Sequence, residues 1–224
     1  MTSTLHPRTS CNNSTLYTAY MPKSSNNTII PDAIKRLHLC RALSDCGKLA
    51  VTKSFKQSTE ECLYVYDDNK LGHTDWSNVA PSPYESKCFK ARNTNHTVLV
   101  LLPLDHRIIT GSAVIAGGVA DCAMLTEKEM SFVEFKTNVY SQEFVEEHDQ
   151  KAVTQLWHTY SCIIAPRCKG KGVIITDMVS VDFYVVFDQE LDVTTASASR
   201  QSLMLDFLEQ NQLPLYFDNE KDFR

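Results

Sequence analysis

The strongest constraint on the fold is an ordered succession of apolar segments in the middle of the chain. Three strand-like runs precede a stretch whose apolar side chains recur at helical spacing, and a second β-type run follows. In order, the segments are strands over 97–104, 112–125 and 130–138, with a tight polar turn over 126–129, a helix over 142–164 and a strand over 172–188. This order predicts an α/β fold, with a mixed central β-sheet and flanking helices.

The rest of the chain lies before and after this core in the sequence. Residues 1–30 are rich in Ser, Thr and Asn, which predicts an extended or poorly ordered leader. Residues 31–224 are predicted to form a single α/β domain, with helices over 32–46 and 200–210. Residues 67–95 contain few aliphatic side chains and are predicted to be an irregular insertion. Further short strands are predicted over 49–55, 62–66 and 213–218.

The composition excludes several classes of protein. With 43% hydrophobic and 22% charged residues, the chain is neither disordered, collagen-like nor a coiled coil. Its apolar runs are shorter than the roughly 18 residues of a membrane span, and its first residues lack the apolar core of a signal peptide. Eight cysteines in 224 residues are too few for a disulfide-stapled scaffold. A cytoplasmic protein without a membrane partner is the expectation.

Charge is divided unevenly along the chain. Residues 1–120 carry 13 Lys and Arg against 9 Asp and Glu, whereas residues 121–224 carry 9 against 18, for a net charge of −5. Tight nucleic-acid binders usually show a net basic surface, so any nucleic acid must meet a local basic patch. The basic turn with Arg167, Lys169 and Lys171 is a candidate for phosphate contacts, and a solvated loop is the alternative.

Two acids interrupt the apolar strands on either side of the tight turn. Asp121 lies five residues before Thr126, and Glu134 lies five residues after Glu129, which predicts that they are cross-strand neighbours on the order of 5 Å apart. Two close carboxylates repel each other and need a cation between them. Their oxygens are hard ligands, and the cations that suit such ligands are Mg²⁺ and Mn²⁺. Lys136 lies two residues beyond Glu134, on the same strand face, where an ammonium can orient a water or stabilise charge on a phosphate. The alternative is an ordinary cross-strand ion pair.

At these positions the sequence resembles the PD-(D/E)XK, or restriction-endonuclease-like, nuclease superfamily. Asp121 followed by a hairpin and then Glu134-Phe135-Lys136 is similar to the superfamily motif, and 118–121, Gly-Val-Ala-Asp, resembles the Gly-x-x-Asp of its RecB-type branch. The resemblance covers residues 97–188 and implies the same order of strands and helix.

The resemblance also implies roles for these residues. Asp121, Glu134 and the backbone carbonyl of Phe135 would be metal ligands, and Lys136 would position the attacking water. Gln155 would correspond to the Gln on the helix of the RecB-type branch; its Tyr partner is expected four residues later, whereas Tyr160 lies five later. The implied activity is Mg²⁺- or Mn²⁺-dependent hydrolysis of phosphodiester bonds, with DNA a better expectation than RNA.

Many members of the superfamily add an acid from a helix before the first core strand, and the candidates here are Asp32, Asp45, Glu60, Glu61 and Glu85. The alternative to an active nuclease is a nuclease-like fold that no longer cleaves and acts as an interaction or assembly protein. A nuclease this acidic is expected to need a partner subunit or a second copy of the chain to reach its target. A role in bacterial defence is a further expectation. His158 is expected to be a packing histidine.

Overall fold

The computed structural model describes most of the chain from residue 29 onward. The described ranges are 29–111, 117–139, 141, 144–191 and 197–224. The predicted leader therefore lies almost wholly outside the described residues, as does part of the predicted second strand. Within the described ranges, no helix combines the length and the apolar character needed to cross a membrane.

Ten strands and six α-helices make up the described part of the chain. The strands are β1 (Lys56–Ser58), β2 (Cys62–Asp68), β3 (His73–Ser77), β4 (Phe89–Arg92), β5 (Leu99–Pro103), β6 (Cys122–Leu125), β7 (Glu129–Lys136), β8 (Ser180–Phe187), β9 (Leu215–Tyr216) and β10 (Glu220–Asp222). The helices are α1 (Asp32–Arg36), α2 (Leu39–Ala42), α3 (Val145–His158), α4 (Ala165–Lys169), α5 (Ile175–Met178) and α6 (Ala198–Asn211).

The strands form two mixed sheets. The large sheet has six strands in the order β1-β5-β6-β7-β8-β9, antiparallel up to β7 and parallel from β7 to β9. The small sheet has four strands in the order β10-β4-β2-β3, of which only the β10–β4 pair is parallel. The predicted mixed α/β architecture with flanking helices is confirmed.

The large sheet is buried on both faces. On β5, Val100 and Leu102 pack into the core formed with the helices, whereas Leu99 and Leu101 pack against the small sheet. Side chains of a strand alternate between its faces, so burial of both faces requires a continuous apolar run. This is why the runs in the middle of the sequence are densely aliphatic.

The prediction of an irregular insertion over 67–95 is wrong for much of that segment. It holds the end of β2 and all of β3 and β4, which are half of the small sheet. β4 alternates buried Phe89 and Ala91 with half-buried Lys90 and Arg92, as expected for a sheet with one buried face. β3 has a single apolar residue, Trp76, so neither strand has the aliphatic run that predicts a strand from sequence.

Other boundaries also differ from the predictions. The predicted helix over 32–46 is two short helices, because His38 adopts a left-handed conformation with φ 54° between them. The predicted strand over 49–55 contains a 3-10 turn, Val51–Lys53, and the run over 172–188 begins with α5 before β8. Within the described part of the second predicted strand, 117–125, only Cys122–Leu125 is a strand, namely β6.

The helix after the hairpin is longer than predicted. From α3 the chain continues through a π-helical segment, Thr159–Ile164, directly into α4, so the turn expected at Pro166 begins only after Lys169. Pro166 lies in the first turn of α4, where the lack of an N–H is tolerated. The last helix is confirmed, and the Ser197 side chain caps it by accepting a hydrogen bond from the N–H of Arg200.

Candidate functional site

Asp121 and Glu134 meet where β6 begins. Cys122, the first residue of β6, pairs with Val133 of β7, so Asp121 lies beside Glu134 on the neighbouring strand. The Asp121 N–H donates to Oε2 of Glu134 at 3.2 Å, and the Phe135 N–H donates to Oδ2 of Asp121 at 2.6 Å. The two acids are therefore neighbours, as the counting from the turn predicted.

Lys136 and Gln155 complete this group. Lys136 lies on the same face of β7 as Glu134, with its Nζ 2.5 Å from Oε1 of Glu134 and 2.7 Å from Oε1 of Gln155 on α3. Asp121, Glu134, Lys136 and Gln155 are called the cleft cluster below. The structure thus brings together the four side chains that the sequence pointed to.

Burial dominates the electrostatics of the acid pair. Glu134 is 2% exposed, and burial raises its pKa to about 7 although the Lys136 ammonium opposes that rise. Burial also raises the pKa of Asp121, and the neighbouring Glu134 carboxylate raises it further. Both acids hold a proton more tightly than usual, and a cation beside them would favour the ionised forms.

A cleft of about 250 Å³ opens beside Asp121, and three acids that sequence reasoning missed line it. They are Asp67 and Asp68, at the end of β2, and Asp105, shortly after β5. Burial raises the pKa of Asp67 and of Asp105, and the charge of Asp105 raises that of Asp67 further. Four acids, Asp67, Asp68, Asp105 and Asp121, therefore line one cleft at strand ends of the two sheets.

The missed acids differ in how well the sequence signals them, as Asp105 and Asp67 show. Because Pro103 pairs with Cys122, residues just after β5 lie at the same edge of the sheet as residues just before β6. Asp105 could have been found from this hairpin geometry, and its N–H lies 3.3 Å from the Asp121 carbonyl oxygen. Asp67 depends on the packing of the small sheet, which carries no local signal.

The acids proposed from the sequence as a third carboxylate do not line the cleft. Asp32 forms a surface ion pair with Lys35 at 2.8 Å, and Asp45 pairs with Arg167 at 2.6 Å. Glu60, Glu61 and Glu85 are also not among the residues that line it. None of the five candidates named from the sequence is therefore among the acids of this cleft.

The cleft cluster is not a preformed metal centre. Among the residues that the structure describes, no three His, Cys, Asp or Glu side chains converge as metal ligands. One oxygen of Asp121 accepts from a backbone N–H, and both oxygens of Glu134 have partners. Asp121 lines the cleft, whereas Glu134 lies buried behind it.

The basic residues lie away from the cluster. Arg167 and Lys169 belong to α4, about 18 Å and about 21 Å further along the helix axis than Gln155 at roughly 1.5 Å per residue. Arg167 is engaged by Asp45, while Lys169 and Lys171 are exposed. The structure does not bring these residues to the cleft.

The aromatic residues of the helix pack in the core. Trp157 and Tyr160 contact each other and the ring of Phe183. Thr159, not Tyr160, lies four residues after Gln155, and its hydroxyl bonds to the backbone of Ala120. His158 donates from Nδ1 to the Gly118 carbonyl at 2.8 Å, so it contacts the segment that leads to Asp121.

Comparison of the chain with protein-family models, with curated proteins and with solved structures finds no match.

Proposed function

We propose that the chain is a divalent-cation-dependent nuclease with a restriction-endonuclease-like core. The observation that carries this proposal is the convergence of Asp121, Glu134, Lys136 and Gln155 beside a cleft lined by further acids. An acid pair with a lysine and hard oxygen ligands at an open edge suits phosphodiester hydrolysis.

The topology supports this proposal. In chain order, β5 is followed by Asp121 and β6, then by β7 with Glu134 and Lys136, and then by α3 and β8. The four strands are neighbours in the large sheet in the same order. This is the order of strand, strand with Asp, strand with Glu-x-Lys, helix and strand that the resemblance implies.

Carboxylate and carbonyl oxygens are the ligands that Mg²⁺ and Mn²⁺ prefer, which supports a cation of this kind. Asp121, Glu134 and the carbonyl of Phe135 would hold the ion once Glu134 exchanges its contact with Lys136 or with the Asp121 N–H for the ion, and Asp67 or Asp105 would be the additional acid. Burial and mutual repulsion disfavour the ionised carboxylates here, and a cation would offset both effects. Such an ion supplies charge neutralisation at phosphate oxygens and makes a water more acidic.

Lys136 would orient the attacking water in this proposal. Its ammonium has three donors, of which Glu134 and Gln155 engage two among the residues that the structure describes. Gln155 fixes the ammonium from the helix side, so the third donor has a defined direction. The role of Lys136 is then to hold a water or a phosphate oxygen beside the acid pair.

The substrate would be nucleic acid, with DNA favoured over RNA on the resemblance alone. An acidic cleft repels phosphates, so substrate binding would depend on the divalent cation and on basic residues outside the cleft. Lys169 and Lys171 remain candidates for such contacts, because both are exposed.

Cleavage assays with matched variants test the proposal. The full chain is incubated with supercoiled plasmid, single-stranded DNA and RNA in EDTA, Mg²⁺ or Mn²⁺. We expect cleavage only with a divalent ion and a loss of at least about 100-fold in Asp121→Asn and Lys136→Ala. The matched control is Asp182→Asn, which removes a buried charge on β8 next to Lys221 and should keep the activity. Absence of cleavage in all conditions, or equal cleavage in the site variants, would reject the nuclease.

A second function is favoured by a specific observation. Glu134 is buried and neutralised by Lys136, which is also what an ordinary structural ion pair would show. A nuclease-like fold that no longer cleaves, and serves as an interaction or assembly protein, fits that arrangement. Mn²⁺ titration separates the two, because only the active nuclease requires the ion to bind at Asp121.

A further inference from the structure

Residues 117–121, here called the entry segment, lead into β6 and end at Asp121. The Ala120 N–H donates to Oγ1 of Thr159 at 2.7 Å, and the same hydroxyl donates its proton to the carbonyl of Gln155 at 2.7 Å. Thr159 is 0% exposed. Loss of the hydroxyl would therefore leave the Ala120 N–H without a partner at a site that water does not reach.

A second hydrogen bond, from His158, holds the entry segment on the same helix. The hydrogen bonds of Thr159 to Ala120 and of His158 to Gly118 are together called the clamp below. Nδ1 of His158 lies 2.8 Å from the Gly118 carbonyl oxygen, and because a carbonyl can only accept, Nδ1 carries the proton. The approach is too close for larger residues: a Cβ at Gly117 would lie 2.3 Å from Cδ2 of His158, and one at Gly118 would lie 2.6 Å from Cγ of Gln155. Gly118 also has φ +83°, which favours glycine.

The clamp ends one residue before Asp121. On the other side, strands hold Asp121: its carbonyl accepts from the Leu104 N–H at 2.9 Å, and its carboxylate accepts from the Phe135 N–H at 2.6 Å. Asp121 therefore lies between the clamp to the helix on one side and its hydrogen bonds to Leu104 and Phe135 on the other. A change in the backbone at Ala120 is passed directly to Asp121 through one peptide unit.

We propose that Thr159 and His158 are positioning residues that fix the entry segment on α3 and so set where the Asp121 carboxylate lies in the cleft. The proposal explains the two consecutive glycines, since only they allow His158 and Gln155 to approach the backbone. The expected effect on cation binding rests on the proposed function. The hydrogen bonds of the clamp can be measured by amide exchange whether or not the protein has any activity.

Nuclear magnetic resonance of the full chain tests the clamp. In Thr159→Val we expect amide exchange of Ala120 to be at least about fivefold faster, because a buried donor loses its acceptor. We expect the Asp121 amide signal to shift and the affinity for Mn²⁺, read from paramagnetic broadening of that signal, to fall about fivefold or more. Thr159→Ser keeps the hydroxyl and should restore both values to those of the wild type.

Thr154 provides a matched control on the same helix. Its hydroxyl donates to the Gln150 carbonyl at 2.8 Å, as that of Thr159 does to Gln155, but it lies on the exposed face. Thr154→Val should change neither Ala120 exchange nor Mn²⁺ affinity. If Thr159→Val does not fold, His158→Leu tests the clamp through Gly118 with the same readouts.

Two results would overturn the proposal. One is unchanged Ala120 exchange in Thr159→Val; the other is faster exchange with unchanged Mn²⁺ affinity, which would make the clamp structural only. If the wild type neither binds Mn²⁺ nor cleaves, the proposed function fails, and with it the positioning role, while Ala120 exchange still shows whether the clamp exists.

Discussion

Two clusters of two carboxylates and one lysine lie at opposite ends of β7. At the end away from the cleft, Lys221 of β10 contacts Oδ2 of Asp182 and lies 2.9 Å from both Oε2 of Glu129 and Oγ of Ser131. Its ammonium also lies 5.0 Å from the centre of the Phe223 ring. This C-terminal cluster fastens the small sheet to the large one.

The difference between the clusters shows what distinguishes a candidate site from a structural ion pair. In the C-terminal cluster the Lys221 side chain is 7% exposed, and its ammonium forms ion pairs with both acids, Glu129 and Asp182. In the cleft cluster the lysine pairs with only one of the two acids, Glu134, and Asp121 faces a cleft with Asp67, Asp68 and Asp105. Excess negative charge beside an opening, and not burial of acids and a lysine, is the feature that points to a cation.

The largest effect on stability is expected in the C-terminal cluster. Lys221→Met keeps the aliphatic stem but leaves Glu129 and Asp182 without their counter-charge. Removal of one partner from a buried ionic cluster costs about 3–5 kcal/mol of unfolding free energy. Urea denaturation measures this loss. Lys35→Met, in an exposed pair, is the control and should leave the free energy unchanged, and an equal effect in both variants would contradict the account.

The cleft cluster should make stability depend on pH. Burial raises the pKa of Glu134 from 4.5 in the unfolded chain to about 7 in the folded one, so the folded state binds more protons between those values. The unfolding free energy should therefore fall as pH rises from about 4.5 to 7, by up to about 3 kcal/mol. Urea titrations without divalent ions measure the slope.

Glu134→Gln is the control for this pH dependence. It removes the titrating group, so the slope should become flatter in that range. A wild-type stability that rises with pH over the same range would show that Lys136 outweighs burial at Glu134.

A smaller effect is expected from the acids that line the cleft. Asp67→Asn removes a half-buried charge that Asp105 repels, so without divalent ions the unfolding free energy should rise by about 1 kcal/mol or less. With Mn²⁺ present the same change should lower stability relative to the wild type. Asp75→Asn is the matched control, since that acid contacts Lys56 and should destabilise in both conditions. Equal stabilisation of Asp67→Asn with and without Mn²⁺ would exclude Asp67 from the ion site.

The smallest effect is expected at the basic turn. Lys169→Ala and Lys171→Ala should each reduce the slope of log binding constant against log salt by about one if the side chain contacts a phosphate. Fluorescence anisotropy with a DNA duplex at several salt concentrations measures this slope. An unchanged slope in both variants would remove the turn from the proposed DNA interface.

The parts of the structure that the sequence predicts are the local ones. The hairpin from β6 to β7, the helix α3 and the last helix α6 follow from periodicity and turn residues, and the hairpin alone brings Asp121 to Glu134. The small sheet does not follow in this way, since β10 at the end of the chain joins β4 in parallel across more than a hundred residues. Asp67 reaches the cleft only through that sheet.

A crystal soaked in Mn²⁺ tests the central claim most directly. The account predicts an anomalous peak in the cleft within ligand distance of Asp121, which weakens in Asp121→Asn and persists in Asp182→Asn. A peak at Glu129 and Asp182 instead, or no peak beside Asp121 at millimolar Mn²⁺, would contradict it.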